Sequence, residues 1–276
     1  MNHDPLGGAP PPALVVCTIV ARNYLPHARV LGESLRRVHD DVAFFVVLVD
    51  DWDHAHPAET EELTLLQASE IGIDEDTLHA MAAIYGVYEL ATALKPALLR
   101  FLIARFGGAV LYLDPDIEVF SDLRGLAEKA RQHEILLTPH VLEPMPRDGR
   151  TPGEQSILTS GMFNLGFIAV SEAATPFLDF WSERLRQDAI VAPERGFFTD
   201  QRWVDFVPSL FPHHVLRDPT ANVAYWNVFQ RPLREVLGTY FVGDEPLKFF
   251  HFSGFDAATP YLLSKYERDR PRVLLS

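Results

Sequence analysis

Short apolar runs alternate with amphipathic stretches along most of the chain. Leu14–Val20, residues 43–49 and Ala109–Leu113 are continuous apolar runs rich in Val, Leu and Ile, the pattern of strands buried on both faces. Between the first two, Val30, Leu31, Leu35 and Val38 recur at helical spacing behind Pro26, which suits the first turn of a helix. Strand, helix and strand in so short a stretch form a βαβ unit, so the sheet is parallel there. Residues 57–69 and 74–83 read as helices entered through acidic residues. Residues 87–106 are helical with a new start at Pro96. A short strand over 117–120 follows, then a helix to about residue 132 capped by Ser121 or Asp122, then a strand over 134–138.

Residues 139–153 hold four prolines and two glycines and read as a long loop, either a lid or acceptor loop or a disordered insertion. Residues 160–170 are a turn feeding a strand. A helix behind Pro176 spans 175–187, and another capped by Thr199 runs to about residue 207. Residues 211–218 and 222–229 are aromatic-rich and less regular, and 239–242 and 247–252 read as the last strands. The expected organisation is a disordered tail over residues 1–12, rich in Gly and Pro, and a single domain over 13–276.

At the end of the apolar run 109–113 stand Asp114 and Asp116 with Pro115 between them. Proline ends the ladder there, and residues two apart in an extended segment point the same way. Two carboxylates then converge at the carboxyl end of a strand, where open α/β sheets bind ligands. They repel unless a cation or proton lies between them. Mg²⁺ or Mn²⁺ suits such oxygens and would carry a diphosphate on its remaining positions. The alternative is a polar turn, for which Asp and Pro are ordinary residues.

The same sheet edge collects Ala21 and Tyr24 after the first strand and Asp50 or Asp51 after the second, where a nucleotide could lie. Lys95 precedes the metal strand and serves either as a phosphate contact or as an exposed helix lysine. Gly161 and Gly166 allow close approach to the backbone, with Asn164 as the polar group beside them. Asp200 is a site residue or a helix cap. His251 lies near a strand end and either faces the site or is a satisfied core histidine.

Composition narrows the classes. The 276-residue chain is 47% hydrophobic, with a formal charge of −14, which argues against nucleic acid as a partner. The one cysteine, Cys17, excludes an intrachain disulfide and points to a reducing compartment. No apolar run approaches the length of a membrane span, and no leader pattern opens the chain. The expectation is a cytoplasmic protein, with peripheral membrane association through a partner left open. No zinc spacing, P-loop or nucleophile elbow occurs.

Taken together these motifs resemble GT-A fold glycosyltransferases, most closely the retaining glycosyltransferase family 8 and its bacterial relatives. The likeness spans about residues 14–255. Thr18 and the Asn23-Tyr24 loop resemble that family's nucleotide-contacting start. Tyr-Leu-Asp-Pro-Asp at 112–116 resembles its Asp-x-Asp motif, Asn164-Leu165-Gly166 its Asn-Ser-Gly, and Asp200-Gln201 its Asp-Gln pair. His251 with Gly254 resembles its His-x-x-Gly segment.

The resemblance implies an α/β GT-A fold with a mostly parallel central sheet flanked by helices. It also implies metal ligation by Asp114, Asp116 and His251 and a Mn²⁺ (or Mg²⁺) cofactor. The donor would be a nucleotide-sugar, UDP-linked, contacted through Thr18, Ala21, Asn23, Tyr24, Asp50, Lys95, Asp114, Gly166 and Gly254. Asp200, Gln201 and Asn164 would be the catalytic residues. The acceptor would be a glycan, a lipid-linked glycan or a protein. Three departures stand out: Lys95 where the family has arginine, Leu165 where it has serine, and no lysine after Gly254.

A sugar-phosphate nucleotidyltransferase would want a basic, Gly-rich loop after the first strand, which residues 21–26 lack. An aspartyl-phosphate phosphatase would want Thr or Val where Glu118 stands. A non-catalytic sugar- or partner-binding domain is the third alternative.

Overall fold

The computed structural model describes residues 12–50, 62–267 and 270–273. The expected tail therefore lies almost wholly outside the described residues, as do Asp51 and residues 57–61.

A seven-stranded sheet forms the centre. Its strands are β1 (Leu14–Val20), β2 (Val42–Leu48), β3 (Thr64–Leu66), β4 (Ala109–Leu113), β6 (Ile135–Pro139), β7 (Phe163–Ser171) and β10 (His214–Val215). They lie in the order β10-β6-β7-β4-β1-β2-β3. All pairings are parallel except the two made by β7, so the sheet is mostly parallel with one reversed strand. Every residue of β1, β4 and β7 is buried, which explains why their sequences are apolar without alternation.

The two faces are separated by residue parity. Val15, Cys17 and Ile19 of β1 join Val110 and Tyr112 of β4 in one core cluster. That cluster is covered by α3 (Val87–Ala93), α4 (Lys95–Phe106) and α7 (Thr175–Leu185), with α2 (Glu75–Ala82) alongside. Leu14, Val16 and Val20 join Leu111 and Leu113 in the other, under α1 (Leu25–Val38) and α5 (Arg124–His133). The result is helices on both faces of one sheet.

Three smaller sheets complete the chain. β5 (Ile117–Val119), β11 (Val223–Ala224) and β15 (Phe249–His251) form one, in the order β11-β15-β5. β8 (Val191–Ala192) pairs β9 (Phe197–Phe198), and β12 (Leu233–Val236), β13 (Thr239–Val242) and β14 (Glu245–Pro246) form a meander. Short helices α6 (Glu154–Ser160), α8 (Gln201–Val204) and α9 (Val207–Leu210) lie between these pieces.

Several expectations need correction. Within the helix expected over 57–69, Thr64–Leu66 is instead strand β3, paired in parallel with Phe45–Val47 of β2. Leu66 is buried there, and sheet burial overrides local helical character. The helix after Ser121-Asp122 starts at Arg124 without a side-chain cap; Asp122 accepts the Arg124 amide at 2.8 Å instead. Thr199 does not cap α8 either. It takes φ +47 and its hydroxyl donates to Asp200 Oδ1 at 3.0 Å. The expected helix to residue 207 is the two short helices α8 and α9.

Residues 140–153 are a loop, as expected, but it is tied down. Arg272 donates to the Pro146 carbonyl at 3.0 Å and to the Pro152 carbonyl at 2.6 Å. The same guanidinium pairs with Asp148 at 3.1 Å and lies over the Phe229 ring. The C-terminal segment is thereby strapped across the loop.

Candidate active site

The end of β4 is the origin of the site. β7 runs antiparallel to β4, and the Asp114 amide extends that pairing by donating to the Gly166 carbonyl at 2.8 Å. This sets Asn164, Leu165 and Gly166 beside Asp114. After the turn at Pro115, β5 pairs antiparallel with β15, with His251 opposite Ile117. The Phe252 amide donates to the Asp116 carbonyl at 2.8 Å. A histidine 135 positions beyond Asp116 is thus delivered next to it by backbone pairing.

His251 Nε2 lies 3.1 Å from Asp116 Oδ1 and 3.9 Å from Asp114 Oδ2. One ligand atom from each of the three residues lies within 4.8 Å of the others. Two carboxylate oxygens and one imidazole nitrogen in that span fit a divalent cation of the Mn²⁺ class. Burial pulls the His251 pKa down, but Asp116 and then Asp114 raise it further, so it stands above the ordinary histidine value. Burial pushes Asp116 up, and His251 more than reverses this, so its carboxyl stays below the usual range. When protonated, the ring places a positive charge beside both carboxylates.

Lys95 occupies the second cationic position. It opens α4, is 2% exposed and is neither a surface lysine nor a free phosphate contact. Its Nζ lies 2.9 Å from Asp200 Oδ2 and 3.5 Å from Asp114 Oδ1. It also donates to the Leu165 carbonyl at 2.9 Å and sits 4.4 Å above the Tyr112 ring. Burial lowers its pKa, and the two carboxylates outweigh that, so it stays charged. For Asp200, burial raises the pKa and Lys95 opposes it, with the net direction upward. The Trp181 indole donates to the Asp200 carbonyl at 3.0 Å, which fixes the backbone from the core side.

Gln201 and Asn164 are holders of β7. Gln201 Oε1 accepts from the Leu165 amide at 3.0 Å, and its Nε2 donates to the Ser160 carbonyl at 2.8 Å. Asn164 Oδ1 accepts from the Gly166 amide at 3.1 Å and lies 3.2 Å from His251 Nδ1. The expectation that Gly166 leaves room for a ligand is corrected. A Cβ there would lie 2.3 Å from His251 Cε1, so the glycine admits the imidazole. Gly254, at φ +71, is likewise filled by protein: its Cβ would meet the Tyr266 ring at 2.6 Å.

A cavity of about 620 Å³ opens over this floor. Lys95, Asp114, Asn164, Gly166, Asp200, Gln201 and His251 all line it. The nucleotide-side candidates lie elsewhere. Thr18 is fully buried and shares a face with Val16 and Val20 beneath α1, so it does not reach the cavity. Ala21 closes a turn by accepting from the Tyr24 amide at 2.8 Å, and Asn23 stands exposed in that turn. Tyr24 is exposed and stacks on His27. Asp50 accepts from the Arg22 amide at 2.7 Å, which joins the ends of β1 and β2.

Sequence reading missed much of the wall. Tyr88, Phe198, Tyr225, Trp226 and Tyr266 bring five aromatic rings to it, and α6 adds Gln155, Ser156 and Thr159. His140 is buried, and burial pushes its pKa down to about 4, so its ring is neutral at pH 7. The paired Tyr225-Trp226 was visible as an aromatic run; Tyr266 carried no signal. The charged side chains of the wall are all in mutual contact on the floor, and the remainder is neutral.

This sheet order, with carboxylates at the end of its central strand, makes up the GT-A fold of glycosyltransferases. The galactosyltransferase LgtC, solved in complex with donor and acceptor sugar analogs, matches with a TM-score of 0.52 at 13% identity, over 86% of each chain. Mouse xyloside xylosyltransferase 1 matches with a TM-score of 0.51 at 18% identity, over 90% of this chain and 98% of its own. In sequence, the chain is similar to two Bacillus subtilis (strain 168) proteins. The uncharacterized protein YfnD is 28% identical over 255 residues and YfnF 26% over 248 residues. The alignments span 88% and 87% of this chain and 78% and 80% of those proteins. No family model matches.

Replacing Lys95 by Met leaves Asp200 buried without its partner and should cost about 3–5 kcal/mol. The double variant K95M/D200N should recover most of the lost Tm, because the two effects are coupled. Additive losses in thermal unfolding would show that the pair is not interacting.

Proposed function

We propose that this protein is a metal-dependent glycosyltransferase that moves a hexose from a UDP-sugar to an acceptor hydroxyl with retention of configuration. The observation that carries the reading is the Asp114, Asp116 and His251 triad at the end of the central strand of a GT-A sheet, of which Asp114 and His251 line one cavity with Asp200.

Asp114, Asp116 and His251 would hold a divalent cation, which would supply Lewis-acid neutralisation to the leaving diphosphate. Lys95 opposes the rise that burial imposes on the Asp200 pKa and directs the side chain across the cavity floor, where the carboxylate would orient sugar hydroxyls and stabilise positive charge developing at the anomeric carbon. Gln201 and Asn164 hold β7 against that floor. Asp200 is engaged by Lys95 and by the Thr199 hydroxyl, which disfavours it as a free base for inversion. Retention follows if the acceptor oxygen attacks the face the diphosphate leaves, its proton passing to the departing phosphate oxygen.

The neutral, aromatic wall suits a glycan acceptor, whether free, lipid-linked or protein-borne, since sugar C–H faces stack on rings and hydroxyls pair with Gln155, Ser156 and Thr159. Among the described residues no helix is long and apolar enough to cross a membrane.

Two measurements test this reading. Incubation with Mn²⁺ and a panel of UDP-hexoses should release UDP from at least one donor. Asp200→Asn should slow that release by about 10²-fold or more while leaving UDP binding intact. No release from any donor, or an unaffected D200N, contradicts the proposal.

The second measurement uses pH. His251 has a raised pKa in the metal-free protein, so its imidazolium contributes stability that is full below the ordinary value of about 6.5 and is lost as pH rises through the folded value. Metal must displace that proton. The rise in Tm on adding Mn²⁺ should therefore be small near pH 6 and grow toward pH 8; a pH-independent rise would remove His251 from the ligand set.

A further inference from the structure

We propose that Asn222 is the positioning residue that fixes the tautomer and tilt of His251 and so makes Nε2 available as a metal ligand. The inference rests on the reading that Asp114, Asp116 and His251 hold a divalent cation. Sequence reading did not select Asn222, and it does not touch the carboxylates.

The His251 ring has two nitrogens with opposite surroundings. Nε2 faces Asp116 and Asp114. Nδ1 faces two carboxamide oxygens, Asn164 Oδ1 at 3.2 Å and Asn222 Oδ1 at 3.3 Å. A carboxamide oxygen only accepts, so Nδ1 carries the proton and the neutral ring presents its Nε2 lone pair to the metal side.

The orientation of the Asn222 amide is itself determined. Its Nδ2 donates to Asn164 Oδ1 at 2.9 Å and to Thr138 Oγ1 at 3.2 Å, which leaves Oδ1 for the imidazole. Asn222 therefore acts twice: it accepts from the ring, and it aims the other acceptor, Asn164.

The backbone supports the same role. Asn222 immediately precedes β11, is 1% exposed and takes φ +56, a left-handed conformation that asparagine adopts more readily than most residues. Its carbonyl accepts from Asn227 Nδ2 at 3.0 Å. Arg231, also buried, donates to the neighbouring Ala221 carbonyl at 2.8 Å. β11 in turn pairs with β15 through Ala224 and His251. One strand junction thus supplies the imidazole with its neighbouring strand and its hydrogen-bond acceptor. Trp226, edge-on to the ring at 5.3 Å between centroids, and Gly166 beneath it complete the cradle.

The test uses the full chain with Mn²⁺ alone as the probe. Asn222→Gly removes the carboxamide while glycine tolerates the left-handed backbone; the buried hydrogen bonds it loses should lower the metal-free Tm by a few degrees, and affinity is read well below that Tm. Mn²⁺ affinity by calorimetry should fall about 10- to 100-fold. Asn222→Asp keeps an oxygen that accepts from the ring but loses the donor to Asn164, so it should lose clearly less affinity than N222G. Imidazole ¹⁵N shifts of the metal-free protein above neutral pH should show His251 protonated at Nδ1 in wild type and as a tautomer mixture in N222G. Wild-type affinity in N222G, or equal losses in N222G and N222D, overturns the proposal. If wild type binds no Mn²⁺, the metal reading fails by itself, while the tautomer measurement still decides the role of Asn222.

Discussion

Two carboxylates, Asp114 and Asp200, share the floor of one cavity with Asp116 close behind on His251, and two cationic groups make that arrangement possible. Asp114 lies between them, 3.5 Å from Lys95 and 3.9 Å from His251. Like charges in a partly desolvated site repel strongly, and each would take up a proton if left unpaired. Lys95 is buried and stays charged because two carboxylates face it. His251 is charged only while protonated, so the place of its proton can be taken by a metal ion. A permanent cation on one side of Asp114 and an exchangeable one on the other give the site a charge balance that survives metal loss.

The backbone is arranged around that balance. β4 carries the Asp-Pro-Asp turn out of the sheet, β7 reverses direction to lay Asn164 to Gly166 beside it, and β15 returns from the C-terminal part to pair with β5. Each pairing delivers one side chain that local sequence could not bring there. The strap from Arg272 holds the loop over 140–153, and Thr151 and Pro152 from that loop reach the cavity wall. Charge lies on the floor of the cavity and neutral aromatic surface on its wall.

Much of this was legible in sequence where burial alone dictates pattern. β1 and β4 fall on their expected residues because strands buried on both faces are apolar throughout. Pro26, Pro96 and Pro176 each mark a helix start within a residue or two. β3 was not legible, since Thr64–Leu66 is short and its strand character comes from pairing with β2. The roles of Lys95 and Gly166 were misread for the same reason: one contacts Asp200 across more than 100 positions, the other admits a histidine 85 positions away. His251 was visible as a histidine near a strand end but was assigned to the metal only through resemblance, and Asn222 carried no local signal. Thr18 shows the limit of resemblance, because strand parity turns it under α1 and away from the cavity.

The central claim is that Asp114, Asp116 and His251 form a metal-dependent site for a nucleoside diphosphate. Titration calorimetry of UDP, with and without Mn²⁺, on wild type and Asp116→Ala tests it most directly. The account predicts UDP binding that requires Mn²⁺ in wild type and is lost in D116A. Binding that is equal with and without metal, and unchanged by the substitution, would contradict it.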